Sequence, residues 1–429
     1  MSFMLTVAYS HTLVASRRRK EFSELIMTLE NGTLQRKHIV LIALCYLVFI
    51  LFALYGSGFG ANVPVMMAHY NISFARQGFI ITMQSLGGLI ASTFIALFGE
   101  RYNKFNAIFV GVLLFGIGAA AIGLAPPYTI LIFLFMLCGA GAITADSVIN
   151  AMIPELFPKH KKTLISWLHA FFSLGSMGAP IFVTMLVNPA VPLSFTGPYL
   201  FTGAMLICTA IFFLISTRSM IAGSPYANMA SAKKRVAENP AEIFKTKKAW
   251  LFFIASFLYF SFSSCIASWL PSYCMEIGID FSTAGLMLTM YFIGSVTMRF
   301  CGPLVLKFFT MRFAYILFSL ISTILLITAL FVENQAVMMV LIAGGGFMQG
   351  SCVSILVLMC MEAFPKRMAS ASSLTLIAAC LAALIMPFAM GTLAELTGFR
   401  TPLILICSFL ALSALPIFIV SKPNFQIRQ

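Results

Sequence analysis

Twelve long apolar runs follow one another along this chain, and most are separated by only a few polar residues. A helix of about 20 residues crosses the ~30 Å hydrocarbon core of a bilayer, and every run is that long. The runs cover residues 39–68, 75–98, 106–125, 128–154, 164–187, 195–217, 249–274, 283–306, 312–332, 336–361, 371–393 and 400–420. Backbone polar groups must be satisfied internally in lipid, so such runs fold as helices. The sequence predicts an all-α integral membrane protein with twelve transmembrane helices.

The charged residues indicate how the chain is oriented. Only 9% of residues are charged, against about a quarter in soluble proteins, yet the net charge is +14. Of the 27 Lys and Arg residues, 24 fall in tails and loops that share one side of the predicted bilayer. This positive-inside bias places both termini in the cytoplasm and suits a cell (inner) membrane. Because the charges are dispersed over short loops, we expect the lipid bilayer as a partner and no nucleic acid.

The sequence contains no pattern typical of covalent or metal chemistry. Its ten cysteines lie in or beside apolar runs, without CxxC pairs or flanking histidines, which favours packing roles over disulfides or metal ligation. Neither a nucleotide-binding loop nor a paired set of intramembrane acids is present. We therefore expect no catalytic residue, no metal and no cofactor. We expect a monomer that is not an enzyme.

The chain also repeats itself at an offset of 207 residues. At this offset Pro64 matches Pro271, Gly87 matches Gly294, and "ELFPK" from Glu155 matches "EAFPK" from Glu362. Each copy holds six predicted helices facing the same way, so the repeats are parallel, and transporters bind solutes between such repeats. The predicted domains are a cytoplasmic tail (1–37), a six-helix bundle (38–217), a cytoplasmic linker (218–248), a second six-helix bundle (249–420) and a short cytoplasmic tail (421–429).

The loop after the second run, "LFGERYNKF" (97–105), resembles the signature loop of the major facilitator superfamily. Glu100, Arg101 and Lys104 match that signature, whereas Asn103 stands where glycine is usual. The resemblance covers residues 38–420 and implies the major facilitator fold, with helices 1, 4, 7 and 10 lining a central cavity. It also implies that Glu100, Arg101 and Lys104 latch helix ends together at the cytoplasmic side.

Three ionisable residues lie well inside predicted helices: Asp146, His169 and Arg299. A charge at the bilayer centre costs roughly 2.5 kcal/mol or more, so each needs a partner or water. Counted along their helices, all three lie about 9–14 Å from the cytoplasmic ends. One alternative is a static latch in which Arg299 pairs with Asp146. Their counterparts at the 207 offset are uncharged, which favours a functional role over a requirement of the fold.

Asp146 and Asn150 are four residues apart and share one helix face. The pair resembles the acid and asparagine on helix 4 of the fucose–galactose–glucose proton symporters, and "SWLHAFFSLGSMGAP" (166–180) resembles their helix 5. This resemblance implies a protonatable acid close to a polar solute. We expect Asp146 to carry the driving proton and His169 to relay it or to bind a solute hydroxyl. Sodium is the alternative coupling ion, and Ser264 stands where the group commonly has an acid.

Several other polar residues are candidates for binding the solute. Asn62, Gln84 and Gln349 are amides within predicted helices 1, 2 and 10, and Trp269 could stack on a sugar ring. The alternative for each amide is a hydrogen bond between helices, and for Trp269 an anchor near the outer interface. Asn150 and His169 complete the predicted binding set.

Together these features predict a secondary active transporter of a small polar organic solute, either sugar-like or an organic acid. The expected mechanism is proton-coupled symport by alternating access. An alternative within transport is proton-driven efflux of amphipathic compounds, for which the abundant Phe and Met would supply an adaptable lining. A non-transporting membrane sensor is the alternative from another class, although the chain shows no added soluble domain.

Overall fold

The structure is a computed structural model that describes residues 36–98, 103–157, 160–221, 245–305, 308–364 and 368–420. The predicted C-terminal tail lies outside these residues, as do most of the predicted linker and all of the predicted N-terminal tail except residues 36 and 37, which begin the first helix. The candidate latch residues Glu100 and Arg101 lie outside the described residues too.

The described residues form fourteen α-helices. They are α1 (Arg36–Tyr70), α2 (Phe74–Phe98), α3 (Lys104–Ile122), α4 (Tyr128–Leu156), α5 (Lys161–Leu186), α6 (Thr196–Ile221), α7 (Lys247–Glu276), α8 (Phe281–Val305), α9 (Met311–Ala329), α10 (Gln335–Gln349), α11 (Cys352–Ala363), α12 (Met368–Thr397), α13 (Arg400–Leu412) and α14 (Ala414–Ile419). A short 3₁₀ helix, Pro192–Phe195, precedes α6. Helices α10 and α11 together form one membrane span, as do α13 and α14, so twelve spans result. The predicted all-α membrane fold with twelve spans is confirmed.

Two directions are needed to describe the site. The near side is the side of the molecule at which α1 and α7 begin, and the far side is the opposite one. Successive spans alternate in direction, so α8 runs from the far side to the near side. The N-terminal half comprises α1–α6, and the C-terminal half comprises α7–α14.

Side chains that accept hydrogen bonds from the first turn fix several helix starts. Asn103 precedes α3, and its side-chain oxygen accepts from the N–H groups of Phe105 (2.9 Å) and Asn106 (3.4 Å). At the 207 offset its counterpart is Thr310, which caps α9 in the same way through Phe313. Asparagine and threonine are favoured at this position because they satisfy N–H groups that have no partner within the helix. The asparagine that departs from the family signature therefore begins the third helix.

Closely packed glycines show that the two halves are built alike. A Cβ atom on Gly87 of α2 would lie 1.9 Å from the carbonyl oxygen of Met136 on α4. At the 207 offset, a Cβ on Gly294 of α8 would lie 2.1 Å from the carbonyl oxygen of Ala343 on α10. Small residues let membrane helices approach this closely. The two parallel six-helix repeats therefore share their internal packing.

The halves touch each other at the far side. Gly78 of α2 packs against Pro387 of α12, where an added Cβ would lie 2.4 Å from a backbone oxygen. The Thr82 hydroxyl donates to the carbonyl oxygen of Leu384 (2.6 Å), and the Ala75 N–H donates to the Glu395 carboxylate (2.7 Å). These contacts close the far side.

Candidate functional site

A polar cavity of about 190 Å³ lies between the two halves, near the middle of the membrane spans. The contact of Gly60 on α1 with the backbone of Ala267 on α7 closes it toward the far side. The lining residues are Gly56, Ser57, Phe172, Ser173, Ser176, Ser263, Ala267, Tyr291, Phe292, Ser295, Val296, Arg299 and Gln349. They come from α1, α5, α7, α8 and α10. Helices 1, 7 and 10 line the cavity as expected, whereas α5 and α8 take the place expected for α4.

Arg299 is the charged residue of this lining, and its exposed side chain lies toward the near side. Its Nε donates to the carbonyl oxygen of Gly350 at 3.3 Å, and its Nη1 donates to the Ser173 hydroxyl at 3.5 Å. Gly350 lies where the tenth span is broken between α10 and α11. Broken spans are a known feature of transporter binding sites, since backbone groups freed there can face the cavity. Arg299 therefore contacts both halves of the molecule.

A hydrogen-bonded chain of polar side chains fixes the C-terminal wall of the cavity. The Tyr259 hydroxyl donates to Gln349 Oε1 (2.9 Å), and Gln349 Nε2 donates to the Ser295 hydroxyl (3.0 Å). Both hydrogen bonds are buried, so the orientation of the Gln349 amide is fixed. Beside them lies Tyr291, which is also buried and whose hydroxyl makes no hydrogen bond to any described residue. The structure thus brings Gln349 and Arg299, both predicted from the sequence, into one cavity.

The N-terminal wall consists mainly of serine hydroxyls. Ser57 donates to Ser176 across α1 and α5 (2.9 Å), and Ser173 donates to the carbonyl oxygen of His169 one turn earlier (2.9 Å). The His169 ring stands edge-on to Phe49, with ring centroids 6.0 Å apart. His169 is exposed and lies one helical turn nearer to the near side than Ser173. It is therefore located beside the opening of the cavity rather than in its lining.

The predicted proximity of Asp146 and Asn150 is seen directly. Asn150 Nδ2 donates to Asp146 Oδ1 at 3.2 Å and to the Asp146 carbonyl oxygen at 3.0 Å. Both side chains are half-buried on α4, outside the cavity lining. Among the described residues Asp146 forms no ion pair, and Arg299 bonds to Ser173 and Gly350 instead. The static latch between Asp146 and Arg299 is absent from this conformation.

Asn62 and Trp269 are placed away from the cavity. Asn62 is buried within the N-terminal half, where its Nδ2 donates to the carbonyl oxygen of Phe195 at 2.8 Å. Trp269 is fully buried near the far side and packs against Phe74 and Phe399. In this conformation neither side chain can reach a solute in the cavity. The contacts fit the alternatives, a hydrogen bond within the N-terminal half for Asn62 and an anchor near the far side for Trp269, and a role in solute binding stays a prediction.

The remaining predicted residues, Gln84 and Lys104, lie outside the cavity lining. Gln84 is half-buried, and its carbonyl oxygen packs against Gly139 of α4, so α2 and α4 meet at this level. Lys104 forms an ion pair with Glu155, which joins the near-side ends of α3 and α4 within one half. This pair holds two helix ends of the N-terminal half together, and a latch between the halves stays a prediction.

Sequence reasoning missed Tyr291, Ser295 and the serines of α5. One signal for Tyr291 was present, because it is the counterpart of the candidate Gln84 at the 207 offset. The serines carried no such signal. Serine is common in membrane helices as a residue that bonds its own backbone, and only the assembled halves show which serines face the cavity.

Comparison with known proteins identifies the family. The sequence profile of the Major Facilitator Superfamily matches residues 45–387, with a second match over 276–426. The chain belongs to the Major Facilitator Superfamily. Its spans therefore form a multi-pass membrane protein of a transporter family. The uncharacterized MFS-type transporter YfkL of Bacillus subtilis is 21% identical over 343 residues, which cover 79% of this chain and 85% of YfkL.

Two solved structures show the same fold. A bacterial homologue of the human lysosomal transporter Spinster, in an inward-facing and unoccupied conformation, superposes with a TM-score of 0.75 at 15% identity and covers 90% of this chain and 97% of its own. The Escherichia coli fucose–proton symporter FucP, in its outward conformation, superposes with a TM-score of 0.60 at 17% identity and covers 90% of this chain and 100% of its own. At these identities the likeness concerns the fold.

Proposed function

We propose that this member of the superfamily is a secondary active transporter that moves a small polar organic solute by proton-coupled symport. The cavity between the halves is the observation that carries the proposal. Five of its thirteen lining residues are serines, and Tyr291, Gln349 and Arg299 add further polar groups. Such a lining suits a hydrophilic solute better than the amphipathic compounds of an efflux pump, which require extended apolar surface.

The conformation fits one stage of alternating access. The halves meet at the far side, whereas Arg299, on the near-side part of the lining, is exposed. The positive-inside distribution of Lys and Arg assigns the near side to the cytoplasm, and therefore both termini as well. On this assignment the structure represents an inward-facing state of a protein in the cell (inner) membrane. The fucose–proton symporter shows that the same fold can serve proton-coupled sugar uptake.

Asp146 is the residue to which we assign the proton. The other acidic residues of the described chain lie in loops or within the last few residues of a helix, whereas Asp146 is ten residues from the end of α4 at Leu156. Its only side-chain hydrogen bond to a described residue comes from Asn150, which can also accept from a protonated carboxyl group. Asp146 can therefore change its protonation state without losing its hydrogen-bonding partner. His169, beside the cavity opening, is assigned to proton relay or solute contact.

The test is Asp146→Asn in proteoliposomes. The wild type should accumulate at least one labelled solute from a panel of sugars and organic acids when a pH gradient is imposed. Asp146→Asn keeps the size and polarity of the side chain but cannot titrate. It should lose gradient-driven accumulation, while exchange between equal concentrations continues and no longer depends on pH.

The matched control is Glu333→Gln, which removes an exposed carboxylate from the loop between α9 and α10. This variant should accumulate solute like the wild type. Accumulation by Asp146→Asn under a pH gradient would exclude Asp146 as the coupling residue. If accumulation by the wild type depends on a sodium gradient and not on pH, the coupling ion is sodium rather than the proton.

A further inference from the structure

The cavity contains a cation but no acid. Arg299 is the only charged residue among the thirteen that line it. Within the described part of the chain Arg299 forms no ion pair, and its two hydrogen bonds go to neutral acceptors, the Ser173 hydroxyl and the Gly350 carbonyl. A guanidinium carries five N–H groups, so three have no partner among the described residues. The site is therefore built around an uncompensated positive charge.

That charge matters most when the cavity closes. In the present conformation water from the near side can solvate the exposed Arg299 side chain. Alternating access requires a state in which both sides are closed and little water remains. An unpaired cation in such a space is strongly unfavourable, because desolvation costs several kcal/mol per ion. A bound anion removes this cost.

We infer that the solute is a small organic carboxylate and that its anionic group binds Arg299. This inference rests on the proposed transport function and names the class of substrate. The single positive charge of the lining matches one carboxylate, which a guanidinium binds through two parallel hydrogen bonds. A phosphate ester carries nearly two negative charges at neutral pH and would remain half uncompensated here.

The surrounding groups indicate a second polar feature on the solute. Tyr291 contributes to the lining, and its buried hydroxyl has no partner among the described residues, although buried hydroxyl groups nearly always have one. One helical turn toward the near side, Ser295 accepts from Gln349, so its own proton is free to be donated. A hydroxyl or carbonyl oxygen near the carboxylate could accept this proton from Ser295. The cavity of about 190 Å³ is smaller than the 300–1,000 Å³ of pockets for drug-sized ligands.

Binding at this place also links the two halves. Arg299 belongs to α8 of the C-terminal half, and its partner Ser173 belongs to α5 of the N-terminal half. A carboxylate that bridges the guanidinium and the Ser173 hydroxyl would replace the 3.5 Å hydrogen bond from Arg299 to Ser173, and the one that Ser173 donates to the His169 carbonyl, by two charge-assisted ones. The carboxylate thus favours the approach of the two halves at the near side, which transport requires.

The experiment compares carboxylates with neutral analogues of similar size. The purified full-length protein in detergent is titrated with lactate, glycerate and gluconate, and separately with lactamide, glycerol and glucose, while Tm is followed by intrinsic fluorescence. At least one carboxylate should raise Tm in a saturable way, and its neutral analogue should not. In Arg299→Gln the affinity for that carboxylate should fall at least tenfold. Arg299→Lys keeps the charge but not the planar fork, so its affinity should fall less.

The matched control is Arg76→Gln, which removes the same charge from an exposed position at the start of α2. It should bind the carboxylate like the wild type. The Tm of Arg299→Gln without ligand shows whether the variant is folded, and if it is not, Arg299→Lys carries the comparison. The inference is overturned if no carboxylate of the panel shifts Tm, if the neutral analogues bind equally well, or if Arg299→Gln retains wild-type affinity.

This experiment tests the carboxylate inference separately from the proposed function, because binding in detergent involves no gradient. If the wild type accumulates a neutral solute under a pH gradient, proton-coupled transport is supported and the carboxylate inference is overturned. If a carboxylate binds through Arg299 but is never accumulated, the carboxylate inference is supported and proton-coupled uptake is contradicted.

Discussion

Asp280 shows how a single exposed residue defines the start of a membrane helix. Its carboxylate accepts from the Ser282 hydroxyl (2.5 Å) and the Thr283 N–H (2.9 Å), and its carbonyl oxygen accepts from Ala284 N at the start of α8. These hydrogen bonds to the charged form lower the pKa of Asp280 to about 2. Asp280 therefore stabilises the fold fully above its ordinary pKa of 3.8, and this contribution is lost as the pH falls toward 2.

We predict that Asp280→Ala lowers the stability of the folded protein by about 1 kcal/mol at pH 7, as is typical of a lost helix N-cap. Thermal unfolding in detergent measures the change. The difference between the wild type and Asp280→Asn should be constant above pH of about 5 and shrink as the pH falls from about 4 toward 2. The control is Thr310→Ala before α9, where a hydroxyl caps the helix through the Phe313 N–H and no pH dependence is expected. A pH-independent difference for Asp280→Asn would contradict the assignment.

Individual site residues could be predicted where short-range geometry decides the matter. The contact between Asp146 and Asn150 follows from a spacing of four residues on a helix, and the sequence alone was sufficient for it. Trp269 is different, because the rings that bury it, Phe74 and Phe399, come from distant parts of the chain. No local pattern distinguishes a tryptophan that faces a solute from one that is enclosed by the other half.

At the scale of helices, close glycine contacts set the distance between neighbours. Gly294 of α8 faces the carbonyl oxygen of Ala343 on α10, which leaves no space for a side chain. Gly346 of α10 faces the carbonyl oxygen of Tyr291, so the two helices pack through glycines from both sides. Tyr291 and Gln349 thereby reach the cavity from adjacent helices. The geometry of the site depends on this packing.

We predict that Gly294→Ala destabilises the protein by about 1–3 kcal/mol, because a methyl group 2.1 Å from a backbone oxygen forces the helices apart. The loss is measured as a lower Tm in detergent. The matched control is Gly178→Ala on α5, where an added Cβ would have no atom within 4 Å. A control that loses as much stability as Gly294→Ala would show that helix propensity or expression, rather than packing, is responsible.

The break between α10 and α11 could not be predicted from hydropathy. The run 336–361 is apolar throughout and was predicted as a single helix, yet the structure ends α10 at Gln349 and begins α11 at Cys352. The break is stabilised from another helix, since Arg299 donates to the Gly350 carbonyl and Ser351 donates to the carbonyl of Met298. The position of the break therefore depends on these contacts with α8.

For the molecule as a whole, the far-side closure follows the internal repeat. Gly78 packs against Pro387, and their counterparts Gly285 and Pro180 approach each other as well, with Thr184 nearest to Gly285. The number of spans and the repeat could be predicted, because hydropathy and internal similarity depend only on the order of residues in the chain. The conformation could not, because the same helices and repeats are present whichever side is closed.

Glu395 at the far side allows this closure to be tested. Its carboxylate, on α12, accepts from the Ala75 N–H in the first turn of α2 in the other half. A carboxylate at a helix N-terminus is favourable by roughly 0.3–1 kcal/mol at exposed positions, and here this energy is available only while the far side is closed. Losing about 1 kcal/mol shifts a two-state equilibrium roughly fivefold. We therefore predict that Glu395→Ala increases the population that is open at the far side.

The control is Glu276→Ala, because Glu276 accepts from the Phe399 N–H within the C-terminal half and has no role in joining the halves. Spin labels on unnatural amino acids at Val191 and Ile277, which are exposed at the far side of opposite halves, report the separation while avoiding the ten native cysteines. In Glu395→Ala the distance distribution should gain a longer component that Glu276→Ala lacks. If both variants keep the wild-type distribution, closure depends on the remaining contacts between the halves, such as those of Gly78 and Thr82. If both variants gain the longer component, the effect comes from general loosening of helix ends. Of the two mutated residues, only Glu395 bonds to the other half.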